Sequence, residues 1–406
     1  MKQATFSQSS LEKTANLENS KAKITLISIF NALLCVLFFA LPISEAVKQI
    51  ALYSLIVLGF YIIWRQKLSF KLDMVGIFLI AYAGFFALSA VINAQMKYML
   101  DPIRSVALFL VIYGLGAKNI RLNFVLYCLF CGYLIAFIMA SYKVFFAGAQ
   151  LFELKSIGYV NTSAIYSLFI LSIFLCAFWW RLASRWLCIA AILLSFSGVV
   201  LSASRTCIYL LPLLFLLFGF FALNSSKNES KFSWEHLFIM FGVIIALALL
   251  ALLAFLLTLL PHERIAYKIS LGSGFLSTRL YIFGSAFYTW LEHPFFGIGG
   301  AEFLNVDNSI WYPNSPEPHA PHAHNTILHL LSTTGIFTAL CYIIFCLFAL
   351  VKFFKARKSA LGLCALLILV LGNITGLVEL QFHSENLLLT MFIFALACSC
   401  FKGQKV

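Results

Sequence analysis

Charge is scarce in this chain. Of its 406 residues only 11% are Asp, Glu, Lys or Arg, against 62% hydrophobic. A soluble domain is about a quarter charged, so an aqueous globule of this composition is excluded. Strand-like alternation of apolar and polar residues is missing too, which excludes a transmembrane barrel, and an open sheet cannot satisfy its edges in lipid. Signatures of nucleotide and metal chemistry are also lacking. There is no GxxxxGK[ST] loop, no HExxH, no GxSxG and no Asp-x-Asp pair, so reactions driven by ATP or a nucleotide-sugar have no support. The eleven cysteines show no zinc spacing. Most lie in apolar runs, where Cys packs as a small hydrophobe. Cys128 and Cys131 have the redox spacing but fall within a span, outside any βαβ unit.

What the chain does have is a succession of apolar runs, each able to cross a ~30 Å hydrocarbon core as a helix. They predict an all-α polytopic membrane protein with about 12 transmembrane helices, near 24–41, 49–64, 73–93, 102–117, 123–142, 158–180, 186–201, 206–223, 237–260, 326–351, 359–377 and 385–401. The weakest division separates the seventh and eighth spans, parted only by Ser202-Ala-Ser204-Arg205. The expected organisation is a cytoplasmic tail 1–23, helices 1–9 over 24–260, one large loop 261–325 containing short helices, helices 10–12 over 326–401 and a cytoplasmic end 402–406. Residues 1–22 read as a polar tail rather than a cleavable signal.

The net charge of +13 suggests nucleic acid in a soluble protein. Its distribution points instead to the positive-inside rule. Nineteen Lys and Arg fall in the two ends and alternate loops and eight in the remaining loops, so both termini are expected in the cytoplasm and the 261–325 loop outside.

That loop concentrates the polar chemistry. It holds His262, His293, His319, His322 and His324, with His329 just beyond, together with Arg264 and Arg279. The run from Ser277 through Trp290 predicts a Ser-capped helix with an aromatic face lying along the membrane interface. His293-Pro-Phe-Phe-Gly297-Ile-Gly299-Gly300 breaks it, since Pro and clustered Gly punctuate structure. His319-x-x-His322-x-His324 matches no usual zinc spacing, and Pro318 and Pro321 prevent a single helix there, so no metal site is predicted. His324 and Asn325 open the next helix at the membrane surface. A neutral imidazole there can take a proton from a hydroxyl near pH 7; the plainer reading is a residue that caps or packs the helix end.

Two arginines stand out on the same side. Arg205, beside Ser202, Ser204 and Thr206, is either a snorkelling residue reaching lipid phosphate or an anion clamp, since guanidinium binds phosphate oxygens bidentately. Arg279, expected in the first turn of the loop helix, opposes the helix dipole, which makes sense if an anion binds there. Arg264 and Arg104 face the same side and are secondary candidates.

These residues carry a resemblance. His293-Pro-Phe-Phe-Gly297-Ile-Gly299 followed by His322-Ala-His324-Asn325 resembles the outward loop of the O-antigen ligase/polymerase superfamily of bacterial envelope proteins. The ligase pattern is His, then Asn, Ser or Gln, nine residues, Gly, two residues, and Gly, Thr or Tyr. Here it reads His324-Asn325, Thr326–Thr334, Gly335, Ile336-Phe337, Thr338. Arg205 and Arg279 look like the family's two key arginines, although an Arg-x-x-x-Leu pattern is not met because position 209 is Tyr. The resemblance implies an inner-membrane O-antigen ligase, a glycosyltransferase of lipopolysaccharide biosynthesis. It would move glycan from undecaprenyl pyrophosphate to lipid A–core at the periplasmic face, inverting the anomeric carbon. It implies His324 as the catalytic base, Arg205 and Arg279 on the pyrophosphate, and His322 and Asn325 as secondary site residues. No cofactor, metal or nucleic acid is expected, and the partners are the two lipid-linked substrates and membrane lipids. A polymerase of the same superfamily is the second reading. A glycan transporter is the third; it would carry polar or helix-breaking residues at mid-membrane on several spans, where Asn31 and Asn373 are the main ones found.

Overall fold

Long apolar runs, closed by short polar caps, become helices throughout the computed structural model, which describes residues 25–68, 71–149, 151–226, 275–300, 302–310, 319–380 and 384–401. Among these residues there is no strand. In chain order the helices are α1 Thr25–Ala40, α2 Glu45–Arg65, α3 Met74–Ile92, α4 Met96–Leu115, α5 Leu122–Phe145, α6 Val160–Trp179, α7 Arg185–Ser202 and α8 Arg205–Ser226. They continue as α9 Phe275–Glu292, α10 Thr326–Thr334, α11 Ile336–Ala356, α12 Ala360–Gly376 and α13 Ser384–Cys400. Eight of them are long and apolar enough to cross a membrane, and α1, α12 and α13 are shorter apolar helices. The protein is an all-α polytopic membrane protein. The expected ninth span, 237–260, and Arg264 lie outside the described residues.

Local chemistry sets the helix ends. Asp73, Ser184 and Ser359 each accept a backbone N–H from the first turn of α3, α7 and α12, filling donors that a helix start leaves unpaired. The short division between the seventh and eighth spans is real: Ala203 takes the left-handed conformation (φ +52°), and α8 begins two residues later at Arg205.

The interior is formed by α6, α12 and α13. α6 packs on α7, α12 joins α6, α8, α11 and α13, and α13 packs on α4, while α3 bridges α4 and α11. α6 is 83% buried within the protein, against 33% for α2. α2 instead turns Ile50, Val57 and Trp64 outward, as a helix on a lipid-facing wall should. Close contact is achieved where side chains are small: a Cβ at Gly132 on α5 would overlap the backbone of Phe39. Ion pairs bind the two ends of the bundle, Asp73 with Lys352 at one and Lys48 with Glu45 and Glu385 at the other.

The second of these ends carries a cap built from α9, a 3-10 turn at Glu302–Asn305 and α10. It has an apolar core of its own, in which Ile282, Ala286, Phe303, Ala320 and Ala323 are fully buried. Here the structure departs from the expected tenth span, 326–351. That segment is two helices, because Gly335 (φ +82°, ψ 179°) ends α10 before α11 starts. The reason is the Gly-rich segment after α9. Ile298 and Gly299 donate to the carbonyls of Ser332 and Thr333 at 3.0 and 2.8 Å, and Ile336 donates to the Pro294 carbonyl at 2.9 Å. The terminal peptide groups of α10 and α11 are therefore satisfied by the cap. The ligase-like spacing has the same origin: its nine residues are α10, N-capped by Asn325 and closed by Gly335.

Candidate active site

Four separate stretches meet where the cap rests on the bundle. The loop after α12 contributes Glu379, the cap contributes Arg279 from α9 together with His322 and His324, and α6 contributes Asn161 near its first turn. Glu379 is the hub. Its Oε1 receives His322 Nε2 at 2.8 Å and His324 Nδ1 at 3.2 Å. Its Oε2 accepts from Asn161 Nδ2 at 2.6 Å and from Arg279 Nη2 at 3.3 Å. Burial by itself raises a carboxyl pKa, but here the hydrogen bonds from His322 and His324 and their charge outweigh it and hold Glu379 well below the usual carboxylate range.

An ionised carboxylate accepts hydrogen bonds and does not donate them. Each imidazole therefore carries a ring proton on the nitrogen facing Glu379, and in the neutral ring the outer nitrogen is the one left with a lone pair. For His324 that outer nitrogen is Nε2. The two rings lie 4.2 Å apart, centroid to centroid, and both side chains are part-exposed, 19% for His322 and 17% for His324. His324 also sits at φ +50°, a conformation non-glycine residues rarely take, at a cost of about 1–3 kcal/mol. Its neighbours enforce it. Asn325 accepts from Leu328 N at 3.0 Å as the N-cap of α10 and donates to the Leu377 carbonyl at 3.0 Å, while Thr326 Oγ1 donates to the Glu379 carbonyl at 3.4 Å. Asn325 thus fastens His324 between α10 and the end of α12, and its role is positional.

The other expected residues fall in different places. Arg279 reaches the site, but not from a first turn. The helix begins by Phe275, so Ser277 lies inside it rather than capping it, and Arg279 is a buried residue one turn further on. Its guanidinium meets a carboxylate from the far side of the chain. Arg205 is exposed as the first residue of α8. It stands at the same end of the bundle, because α6 starts there beside Glu379 and α7 returns the chain to that end before α8 begins. Arg104 is half-buried on α4, on the side of Glu45 and its Lys48 ion pair. His319 and His293 are exposed outside the cluster.

Glu379 and Asn161 were not legible as site residues. Glu379 lies 55 residues beyond His324 in a short loop without a motif; its one signal is that acidic residues are rare near an apolar span. His322 Nε2, His324 Nδ1 and a Glu379 oxygen lie within 4.8 Å of one another, so the three are also of the type and spacing to hold a metal ion.

Fold and site together define a class: a polytopic helical membrane protein whose polar chemistry is a histidine–carboxylate cluster at one end of the bundle. Residues 189–343 match the family described as O-antigen ligase. The match supports membership of the O-antigen ligase/polymerase superfamily, and the family implies a glycosyltransferase-like ligase or polymerase activity. The matched stretch runs from α7 into α11 and includes Arg205, Arg279, His322, His324, Asn325 and Gly335, but neither Asn161 nor Glu379. No curated protein matches the chain.

Proposed function

We propose that this protein is an O-antigen ligase that moves glycan from undecaprenyl pyrophosphate onto lipid A–core at the periplasmic face of the inner membrane. The observation that carries this reading is the Glu379 hub, which engages His324 through Nδ1 and so leaves Nε2 as the nitrogen that can act as a base. A core-sugar hydroxyl gives its proton to Nε2 as its oxygen attacks the anomeric carbon. The bond from that carbon to the pyrophosphate oxygen breaks on the opposite side and its electron pair leaves with undecaprenyl pyrophosphate, so configuration inverts. Glu379 stabilises the resulting imidazolium and fixes the tautomer, a positioning role. General-base assistance of this kind is worth roughly 10²–10⁴-fold.

Arg205, exposed at the start of α8, is the stronger pyrophosphate ligand, because a helix N-terminus and a guanidinium both attract phosphate. Arg279, already bonded to Glu379, lends positive charge from beneath. Excess Lys and Arg on alternate loops supports the site end as the outer one. The intramembrane asparagines do not favour transport. Asn31 is bonded to the Asn119 carbonyl and the Arg121 amide, and Asn373 to Tyr342, so Asn31 ties α1 to the turn before α5 and Asn373 ties α12 to α11.

The test is purified protein with lipid-linked glycan donor and lipid A–core in EDTA. A lipid A conjugate is the expected product. Longer lipid-linked glycan with no conjugate would make the protein a polymerase, and loss of turnover in EDTA would overturn the metal-free mechanism.

A further inference from the structure

The cluster that positions the base has a second chemical capacity. His322 Nε2 and His324 Nδ1 both point at Glu379 Oε1, and the three donor atoms lie within 4.8 Å of one another. Two imidazoles and a carboxylate with one side left open are the ligand set of many three-ligand zinc sites, whereas Mg²⁺ and Ca²⁺ prefer all-oxygen sets. Tetrahedral Zn²⁺ bonded at about 2.0–2.2 Å would separate neighbouring donors by about 3.4 Å. The nitrogen–oxygen distances of 2.8 and 3.2 Å therefore need to open by only a few tenths of an ångström. The part-exposed rings leave room for a water as fourth ligand. Asn161 and Arg279 on Glu379 Oε2 would hold the carboxylate from behind, as outer-shell partners do in metal sites.

We propose that this cluster is an inhibitory zinc site. One Zn²⁺ binds His322 Nε2, His324 Nδ1 and Glu379 Oε1 in place of the two shared hydrogens. A neutral imidazole that gives the Nδ1 lone pair to a metal carries its proton on Nε2. Zinc thus removes from His324 the lone pair that the acceptor hydroxyl needs. The Arg279 guanidinium beside Glu379 repels a divalent cation, which makes the ion a reversible occupant and not a resident one. The inhibitory half rests on His324 being the base, while the binding half stands on the geometry alone.

The test is zinc titration of the purified full-length protein against a fluorescent zinc indicator, with Glu379→Gln, His322→Ala and His319→Ala beside the wild type, and zinc-edge X-ray absorption on the wild type. The expected result is one zinc per chain in the wild type and His319→Ala, with affinity lower by roughly 10–100-fold or more in the other two. Absorption should show two imidazole nitrogens and light oxygen ligands. Absence of stoichiometric zinc, undiminished affinity in Glu379→Gln, or sulfur ligands from the cysteines would each overturn the site, even if a variant fails to fold. Turnover should fall with zinc occupancy, return with EDTA and ignore Mg²⁺. Missing zinc binding with normal turnover would overturn this site and leave the ligase standing. Zinc bound at the cluster with undiminished turnover would overturn the inhibition and the base assignment together.

Discussion

Glu379 has no unfilled side: one oxygen takes two imidazoles, the other an amide and a guanidinium. Such a carboxylate holds others in place and does not itself abstract a proton. Glu379→Gln keeps the volume but has one acceptor oxygen and no charge, so it cannot accept from both the histidine pair and the Asn161–Arg279 pair or stabilise an imidazolium. Turnover should drop by roughly the 10²–10⁴-fold that a general base supplies, with donor binding retained. His324→Ala should lose the same factor and His319→Ala little, checked by steady-state rates. Arg205→Ala should cost about 10²–10³-fold in kcat if its guanidinium meets the leaving pyrophosphate, and Arg205→Lys should rescue only part. At this scale the sequence was half readable. The imidazole of His324 announced itself by its place before a helix, because capping and loop chemistry are local. Its carboxylate partner did not, because the partner arrives through the tertiary packing of α12 against α6. For the same reason Arg279 looked like a residue aimed at an anion, while the carboxylate it pairs with is Glu379.

Among elements, α10 makes the family-like spacing intelligible. A helix of nine residues fixed by Asn325 at one end and Gly335 at the other sets the distance between His324 and the docking surface for the Gly-rich segment. Gly335 has φ +82° with an extended ψ, a region essentially closed to other residues, and a Cβ there would overlap the Phe295 carbonyl. Gly335→Ala should therefore destabilise by at least the ~1–3 kcal/mol of backbone strain, read as a lower midpoint in thermal unfolding in detergent. The periodicity of the sequence ran apolar through this break and so hid it. The break depends on backbone carbonyls offered by another segment, which no apolar pattern records. The buried Lys48–Glu385 pair fixes α2 to α13 in a similar way. Lys48→Met should destabilise by about 3–5 kcal/mol, since it strands a buried carboxylate, and adding Glu385→Gln should recover a good part of that loss.

Over the whole molecule, the apolar runs gave the class and nearly all described helices, because helices in lipid must satisfy their own backbone and so need long apolar stretches. Alternation of the chain then brings the starts of α2, α6, α8 and α13 and the end of α12 to one end of the bundle, where Lys48, Asn161, Arg205, Glu385 and Glu379 are found. In a background with the eleven native cysteines replaced, Tyr159→Cys and Leu377→Cys, both at exposed positions, should accordingly react with membrane-impermeant reagents in whole spheroplasts, while Lys118→Cys and Lys358→Cys should not. The reverse pattern would turn the site to the cytoplasm and remove it from lipid A–core. The most direct measurement of the central claim is single-turnover transfer by the wild type and Glu379→Gln, with lipid-linked donor and lipid A–core in excess EDTA. The wild type should form an inverted lipid A conjugate, and the variant should form it more slowly by roughly 10²-fold or more with unchanged donor affinity. Equal rates in the two proteins would contradict the carboxylate-held base on which the mechanism stands.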